Sequence, residues 1–85
     1  NINEIIKNTK QQIPNEVLDL MEKAILTAGI SDLTEFAQSL IKFSKKIENE
    51  ELIKWTRKLM EENENFEIDV TSKMLKIFKE AIYKS

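Results

Sequence analysis

The chain has 85 residues, of which 41% are hydrophobic and 33% are charged, and its formal net charge is −2. This balance is typical of one small globular domain, and it disfavours a disordered chain. It also argues against a nucleic-acid binder, which would show a basic face. The sequence contains no cysteine and no histidine, so disulfides, thiol nucleophiles and imidazole bases are excluded. The absence of cysteine fits a reducing compartment, and we expect a cytoplasmic location.

No uninterrupted apolar run is longer than three residues, so we expect no membrane contact. Because the chain starts at Asn1 rather than Met, we expect it to be a segment of a longer protein. Targeting signals would then lie outside these residues.

The first 13 residues predict a short N-terminal helix or a linker. The apolar and small residues at helical spacing there are Ile2, Ile5, Ile6 and Thr9. A longer helix follows Pro14, which suits a first helical turn because its missing N–H is not needed there. The apolar stripe of this helix consists of Val17, Leu20, Met21, Ala24, Ile25 and Ala28. Gly29 is predicted to end the helix in the left-handed conformation that glycine tolerates.

Two further helices are predicted in the middle of the chain. The first has Ser31 as its N-cap, and Asp32 and Glu35 lie in its positively polarised first turn. Its apolar stripe consists of Leu33, Phe36, Ala37, Leu40, Ile41, Ser44 and Ile47. The second begins near Asn49. Its stripe consists of Leu52, Trp55, Thr56, Leu59 and Met60.

After the break at the stretch NENFE, Asp69 is predicted to cap a last helix. The residues predicted to point inward are Val70, Met74, Ile77, Phe78 and Ala81, with Leu75 and Ile82 beside them. The connections are short, which favours antiparallel neighbours. We therefore predict an all-α fold, an antiparallel four-helix bundle over residues 14–85 with a short additional N-terminal helix or linker at residues 1–13.

Enzyme activity is not expected from these residues. The acids from Glu61 to Asp69 suggest a calcium loop, but the stretch NENFEIDVTSKM lacks the glycine of an EF-hand and has Met74 at its twelfth position. A carboxylate pair would need a pocket, and we expect so small a core to leave none. No glycine-rich loop is present to hold a phosphate. We predict no catalytic residue, no metal site, no cofactor and no small-molecule substrate.

Two stretches of the sequence resemble the histidine-containing phosphotransfer domains of two-component signalling. Those domains carry a pattern like LAHTLKG and, after a gapless stretch, a helix ending in LARELE. Here the corresponding stretches are FAQSLIK and, after ten intervening residues, IKWTRKLME. The residues that match at flanking positions are Phe36, Ala37, Ser39, Leu40, Ile47, Leu52, Trp55, Arg57 and Leu59.

The chain is also similar to degenerate members of this family at the C-terminus of hybrid sensor kinases and multidomain response regulators. Such segments often contain P-x-x-L, G-D-I, F-D-I and L-x-x-F. Pro14, Val17, Gly29 and residues 65–78 resemble these patterns, and the likeness covers residues 14–82. The resemblance implies a four-helix bundle with an extra N-terminal helix.

Three positions depart from the family's active-site pattern. Gln38 stands where the phosphorylated histidine would be, Ile41 replaces a lysine, and Lys42 replaces a glycine that leaves room for the phosphoryl group. Glutamine has a neutral amide and no nucleophilic imidazole nitrogen. The resemblance therefore implies a non-catalytic signalling module, which docks a receiver or kinase domain of the same or a cognate protein without phosphotransfer.

Helical spacing predicts which residues would form the docking face. It consists of Thr34, Gln38, Ile41, Lys42 and Lys45. Ile41 is expected at the edge of this face, where it would add an apolar contact to polar ones, as in transient interfaces. The two lysines would steer an acidic receiver pocket towards the face.

Several alternatives stay open on the sequence alone. The apolar stripes also suit any small helical bundle, and the residues of the docking face also suit a solvated helix surface that binds nothing. From other functional classes, the chain could be a self-associating helical scaffold. It could also be a small stand-alone regulatory or toxin-neutralising protein.

Overall fold

A computed structural model gives the structure of residues 1–84, nearly all of which are helical. The helices in chain order are α1 (Ile2–Thr9), α2 (Asn15–Thr27), α3 (Ile30–Lys46), α4 (Glu50–Glu64) and α5 (Ile68–Lys84), with a 3₁₀ turn at Lys10–Gln12. Within this described part of the chain, no helix combines the length and apolar content needed to cross a bilayer. The prediction of an all-α fold is confirmed.

The four longer helices form a closed bundle. α3 packs against α2 and α4, while α5 contacts α4 and α2. The short connections between these helices make sequential neighbours run antiparallel, as predicted. The large hydrophobic side chains that are fully buried at the centre are Ile6, Met21, Phe36, Leu40, Leu52, Leu59 and Phe78.

α1 belongs to the same core because it buries three isoleucines and packs against α5. These are Ile2, Ile5 and Ile6. Its first turn is capped by Asn1, whose side-chain oxygen accepts a hydrogen bond from the N–H of Asn3 at 2.8 Å. Residues 1–13 therefore contain a helix that packs with the bundle. The predicted range 14–85 ends at Ser85, which lies outside the described residues.

The α2–α3 junction differs from the prediction. Ala28 takes the left-handed conformation at the end of α2, with φ 52°, whereas Gly29 is extended, with φ −90° and ψ 141°, and is the N-cap of α3. The predictions that Gly29 adopts the left-handed conformation and that Ser31 is the N-cap are wrong. The Thr27 hydroxyl holds the junction, because it accepts from the Gly29 N–H at 3.2 Å and donates to Asp32 at 2.6 Å.

α5 is rotated relative to its predicted orientation. It begins at Ile68, so Asp69 lies in its first turn and is not its cap. Val70 and Ile77, predicted to point inward, are 38% and 46% exposed. The buried residues are Thr71, Leu75, Phe78, Ala81 and Ile82. At 100° per residue, apolar side chains cover more than half of the circumference of α5, so periodicity alone leaves its orientation open.

Candidate functional site

All five residues of the predicted docking face lie on α3, along one strip of the helix. At about 100° per residue, they span roughly 100° of its circumference. Gln38, Lys42 and Lys45 are exposed, and Thr34 and Ile41 are half-buried. The opposite side of α3 faces the core. The structure therefore presents three polar side chains to solvent, and the two half-buried residues lie together along one edge of the strip.

Thr34 lies at the edge of the strip next to α4, where its hydroxyl is already engaged. The hydroxyl donates to the Ile30 carbonyl oxygen at 2.9 Å and accepts from Nδ2 of Asn63, also at 2.9 Å. The same Nδ2 donates to the Ile30 carbonyl oxygen at 3.3 Å. Because Asn63 is only 6% exposed, this contact holds α3 to α4. Thr34 is thus placed to join two helices, and its hydroxyl is less available to a partner than Gln38 is.

Lys42 lies at the other edge of the strip, next to the start of α2. It lines a shallow depression of about 460 Å³, whose other walls include Pro14, Val17, Ser39 and Phe43. A lysine in such a place lays its aliphatic stem along apolar surface and keeps its ammonium group in water. Position 42, which the resemblance aligns with a glycine, carries a long cationic side chain.

The strip can recognise polar surfaces, but it offers no imidazole. The Gln38 amide offers two donor hydrogens and an acceptor oxygen, and the lysines offer only donors and positive charge. These groups suit carboxylates and backbone carbonyls of a partner. The sequence has no histidine that could form a phosphoramidate.

A second surface was not predicted from the sequence. It is a groove of about 540 Å³ between α2 and α5, hereafter the α2–α5 groove. Six of its apolar lining residues are Ala24, Ile25, Ile30, Leu33, Ile68 and Leu75. The expectation that so small a core leaves no pocket is wrong at this seam. The two alanines of α2 that line it, Ala24 and Ala28, are too short to fill the space towards α5.

One signal in the sequence points to this groove. Ile30 and Ile68, which both line the groove, are large apolar residues that lie outside every predicted inward stripe. Single exposed apolar residues are common and carry no information. Their shared location becomes visible only once the helices are packed.

No protein-family model, no curated protein and no solved structure matches this chain. The likeness to phosphotransfer domains therefore depends on the sequence patterns alone.

Proposed function

We propose that the chain is a non-catalytic helical signalling module that docks a receiver or kinase domain without phosphotransfer. The observation that carries the proposal is the exposure of Gln38 at the middle of α3. The resemblance puts a phosphorylated histidine at this position. The packed bundle fixes the backbone beneath Gln38, which supports a docking surface in which an amide replaces the reactive nitrogen.

The surroundings of Gln38 support a weak, salt-sensitive contact. Lys42 and Lys45 are exposed on the same strip, and Ile41 is half-buried beside them. A mixture of one apolar and several polar contacts is typical of transient interfaces. The exposed lysines would speed the encounter with an acidic surface, and this contribution decreases as salt screens it.

The test is an NMR titration of the ¹⁵N-labelled domain with a receiver domain of a two-component protein from the same source. The receiver is added with and without beryllium fluoride, which mimics its phosphorylated state. We expect amide shifts around Gln38, Lys42 and Lys45, which Lys42→Glu abolishes. Lys54→Glu is the matched control, because Lys54 is equally exposed but lies on α4. Saturating receiver without shifts on α3 would rule out this docking mode.

A further inference from the structure

The α2–α5 groove has large apolar side chains exposed along its length. Three of its lining residues are involved: Ile30 is 39% exposed, Ile68 is 51% exposed and Tyr83 is 59% exposed. Clustered apolar exposure of this kind, rimmed by polar groups, marks interaction surfaces more often than isolated exposed residues do. Tyrosine in particular is enriched among residues that dominate binding energy.

The charged side chains that line the groove are mainly basic. Lys76, Lys79 and Lys84 line it, and Glu80 is its only acidic lining residue, although the whole chain has a net charge of −2. Lys79 pairs with Glu22, and Lys84 pairs with Glu80 at 3.2 Å. Such exposed pairs contribute little, so the carboxylates of a partner can replace them. The groove thus combines an apolar floor with a basic margin.

The shape of the groove suits a helix. Lining residues are drawn from the whole length of α5, from Ile68 to Lys84, and 17 residues of helix extend for about 25 Å. Opposite α5, the wall of the groove is formed by the last turn of α2, by Ala28 and by the start of α3. A groove that follows one helix over this distance accepts a second helix through an apolar stripe at helical spacing.

We propose that the α2–α5 groove binds an amphipathic helix of a partner protein, whose apolar stripe is flanked by Asp and Glu. A second copy of this chain is a poorer occupant, because a two-fold contact through the groove would bring the basic margins of both copies together. The proposal does not depend on docking at α3. Of the residues of α3, only Ile30 and Leu33 line the groove, both before Gln38.

The test uses two designed peptides of 17 residues, the length of α5. Both carry leucines at i, i+3, i+4 and i+7, and these are flanked by glutamates in one peptide and by lysines in the other. Each is titrated into the ¹⁵N-labelled domain. We expect the glutamate peptide to shift the amides of Ile25, Leu75 and Tyr83. We also expect it to bind about tenfold more tightly than the lysine peptide. Equal affinities, or no binding of the glutamate peptide at about 1 mM, would overturn the proposal.

Two pairs of variants on α5 locate the site. Lys76→Glu should weaken the glutamate peptide about fivefold, whereas Lys73→Glu should change its affinity less than about twofold, since Lys73 is exposed but does not line the groove. Ile68→Ser should also weaken binding. Its control is Ile77→Ser, which removes an isoleucine of similar exposure on another side of α5. Equal effects within either pair would contradict the assignment.

The same variants distinguish a partner helix from self-association. Sedimentation of the chain alone is expected to show a monomer at all concentrations used in the titration. A dimer that Ile68→Ser dissociates and Ile77→Ser leaves intact would show that a second copy occupies the groove, and would overturn the proposal. Thermal melts of all four variants establish that each is folded.

Discussion

The indole ring of Trp55 stacks on the phenyl ring of Phe78, with ring centroids 5.2 Å apart and an interplanar angle of 27°. Phe78 also meets Phe36 edge to face, at 5.5 Å and 71°. The three rings join α4, α5 and α3. Phe36 and Phe78 have no exposed surface, whereas Trp55 is half-buried. Phe78 is therefore the central member of the cluster and Trp55 covers it from the solvent side.

This arrangement predicts how much the free energy of unfolding decreases when each ring is removed. Phe78→Ala should lower the free energy of unfolding by about 3–5 kcal/mol, because it leaves a buried cavity that neighbouring side chains cannot fill. Trp55→Ala should lower it by only about 2 kcal/mol, since water can reach part of the space. Urea denaturation measures both. The control is Phe66→Ala, which removes a ring that is 69% exposed and should have little effect. An equal loss for Trp55→Ala and Phe78→Ala would contradict this ranking.

Asn63 offers a prediction with a defined dependence on pH. Replacing its amide by a carboxyl, as in Asn63→Asp, removes the donor that Thr34 and the Ile30 carbonyl share. Burial disfavours the charged form, so the pKa of the new carboxyl should be raised in the folded state. The folded protein then binds its proton more tightly than the unfolded chain does. The destabilisation should therefore be small near pH 3 and grow as pH rises, reaching about 1–3 kcal/mol at pH 7.

Denaturation from pH 3 to pH 8 tests this dependence. Asn65→Asp is the matched control, because it places the same charge at the same end of α4 but at an exposed position. Both variants carry the unfavourable interaction with the helix dipole, so their difference isolates the buried hydrogen bonds. A pH profile of Asn63→Asp that parallels that of Asn65→Asp would exclude the role assigned to Asn63.

A second titration concerns Lys58 on the surface of α4. A hydrogen bond to Glu62, with Nζ and Oε1 2.8 Å apart, and then the negative charge of Glu62, raise the pKa of Lys58 above 10.5. While Glu62 stays ionised, the contribution of this pair to stability is therefore complete below 10.5, and it is lost as pH rises through the folded-state pKa of Lys58. Direct NMR titration of the lysine side chains should show that Glu62→Gln lowers the Lys58 pKa. Glu61→Gln should lower it less, since Glu61 acts only through a smaller charge effect.

The helices and most of the core could be predicted from the sequence because both depend on local periodicity. Met21, Phe36, Leu40 and Leu59 are buried as expected. The exposure of Gln38 also followed from its angle on the helix. The orientation of α5 could not be predicted in this way, since its apolar residues cover too much of its circumference.

Contacts between residues distant in sequence could not be predicted either. Thr34 was predicted as part of a free docking face, but its hydroxyl pairs with Asn63, 29 positions away. The stretch NENFE was interpreted only as a break, although α4 continues to Glu64. The α2–α5 groove depends on the distance between two packed helices. The hydrophobic periodicity of either helix alone does not predict that distance.

The junction after α2 can be tested by exchanging its two residues. Ala28 holds a left-handed conformation in which a side chain is unfavourable, so Ala28→Gly should stabilise the chain by about 0.5–1 kcal/mol. Gly29 has an extended backbone, and a Cβ there would lie 3.4 Å from the Thr27 hydroxyl oxygen. Gly29→Ala should therefore cause no backbone strain. Alanine is a poorer N-cap than glycine, but it also lowers the conformational entropy of the unfolded chain, so the net change in stability should be small. If Gly29 were instead the left-handed residue, Gly29→Ala would cost about 1 kcal/mol in thermal or urea denaturation.

The last prediction concerns the chemistry that Gln38 prevents. We expect that Gln38→His alone does not make this domain an acceptor of phosphoryl groups, although it restores an imidazole at an exposed position. Lys42 lies one turn later on the same strip, so a long cationic side chain stands where the phosphotransfer pattern has a glycine that leaves room for the phosphoryl group. Half-buried Ile41 supplies no positive charge for the phosphoryl oxygens. The triple variant Gln38→His, Ile41→Lys, Lys42→Gly should therefore accept a phosphoryl group where the single variant does not.

The measurement is transfer of ³²P from a phosphorylated receiver domain, followed by acid treatment, which cleaves phosphohistidine. The unaltered chain is the first control, and Gln38→Ala combined with Ile41→Lys and Lys42→Gly is the second, since it has the opened surroundings without a nucleophile. Lys42→Gly introduces glycine into a helix at a cost of about 1 kcal/mol, so each variant is first shown to be folded. If the single and triple variants were both labelled, and to the same extent, Ile41 and Lys42 would not obstruct transfer. The absence of a histidine at position 38 would then be the only feature that prevents phosphotransfer.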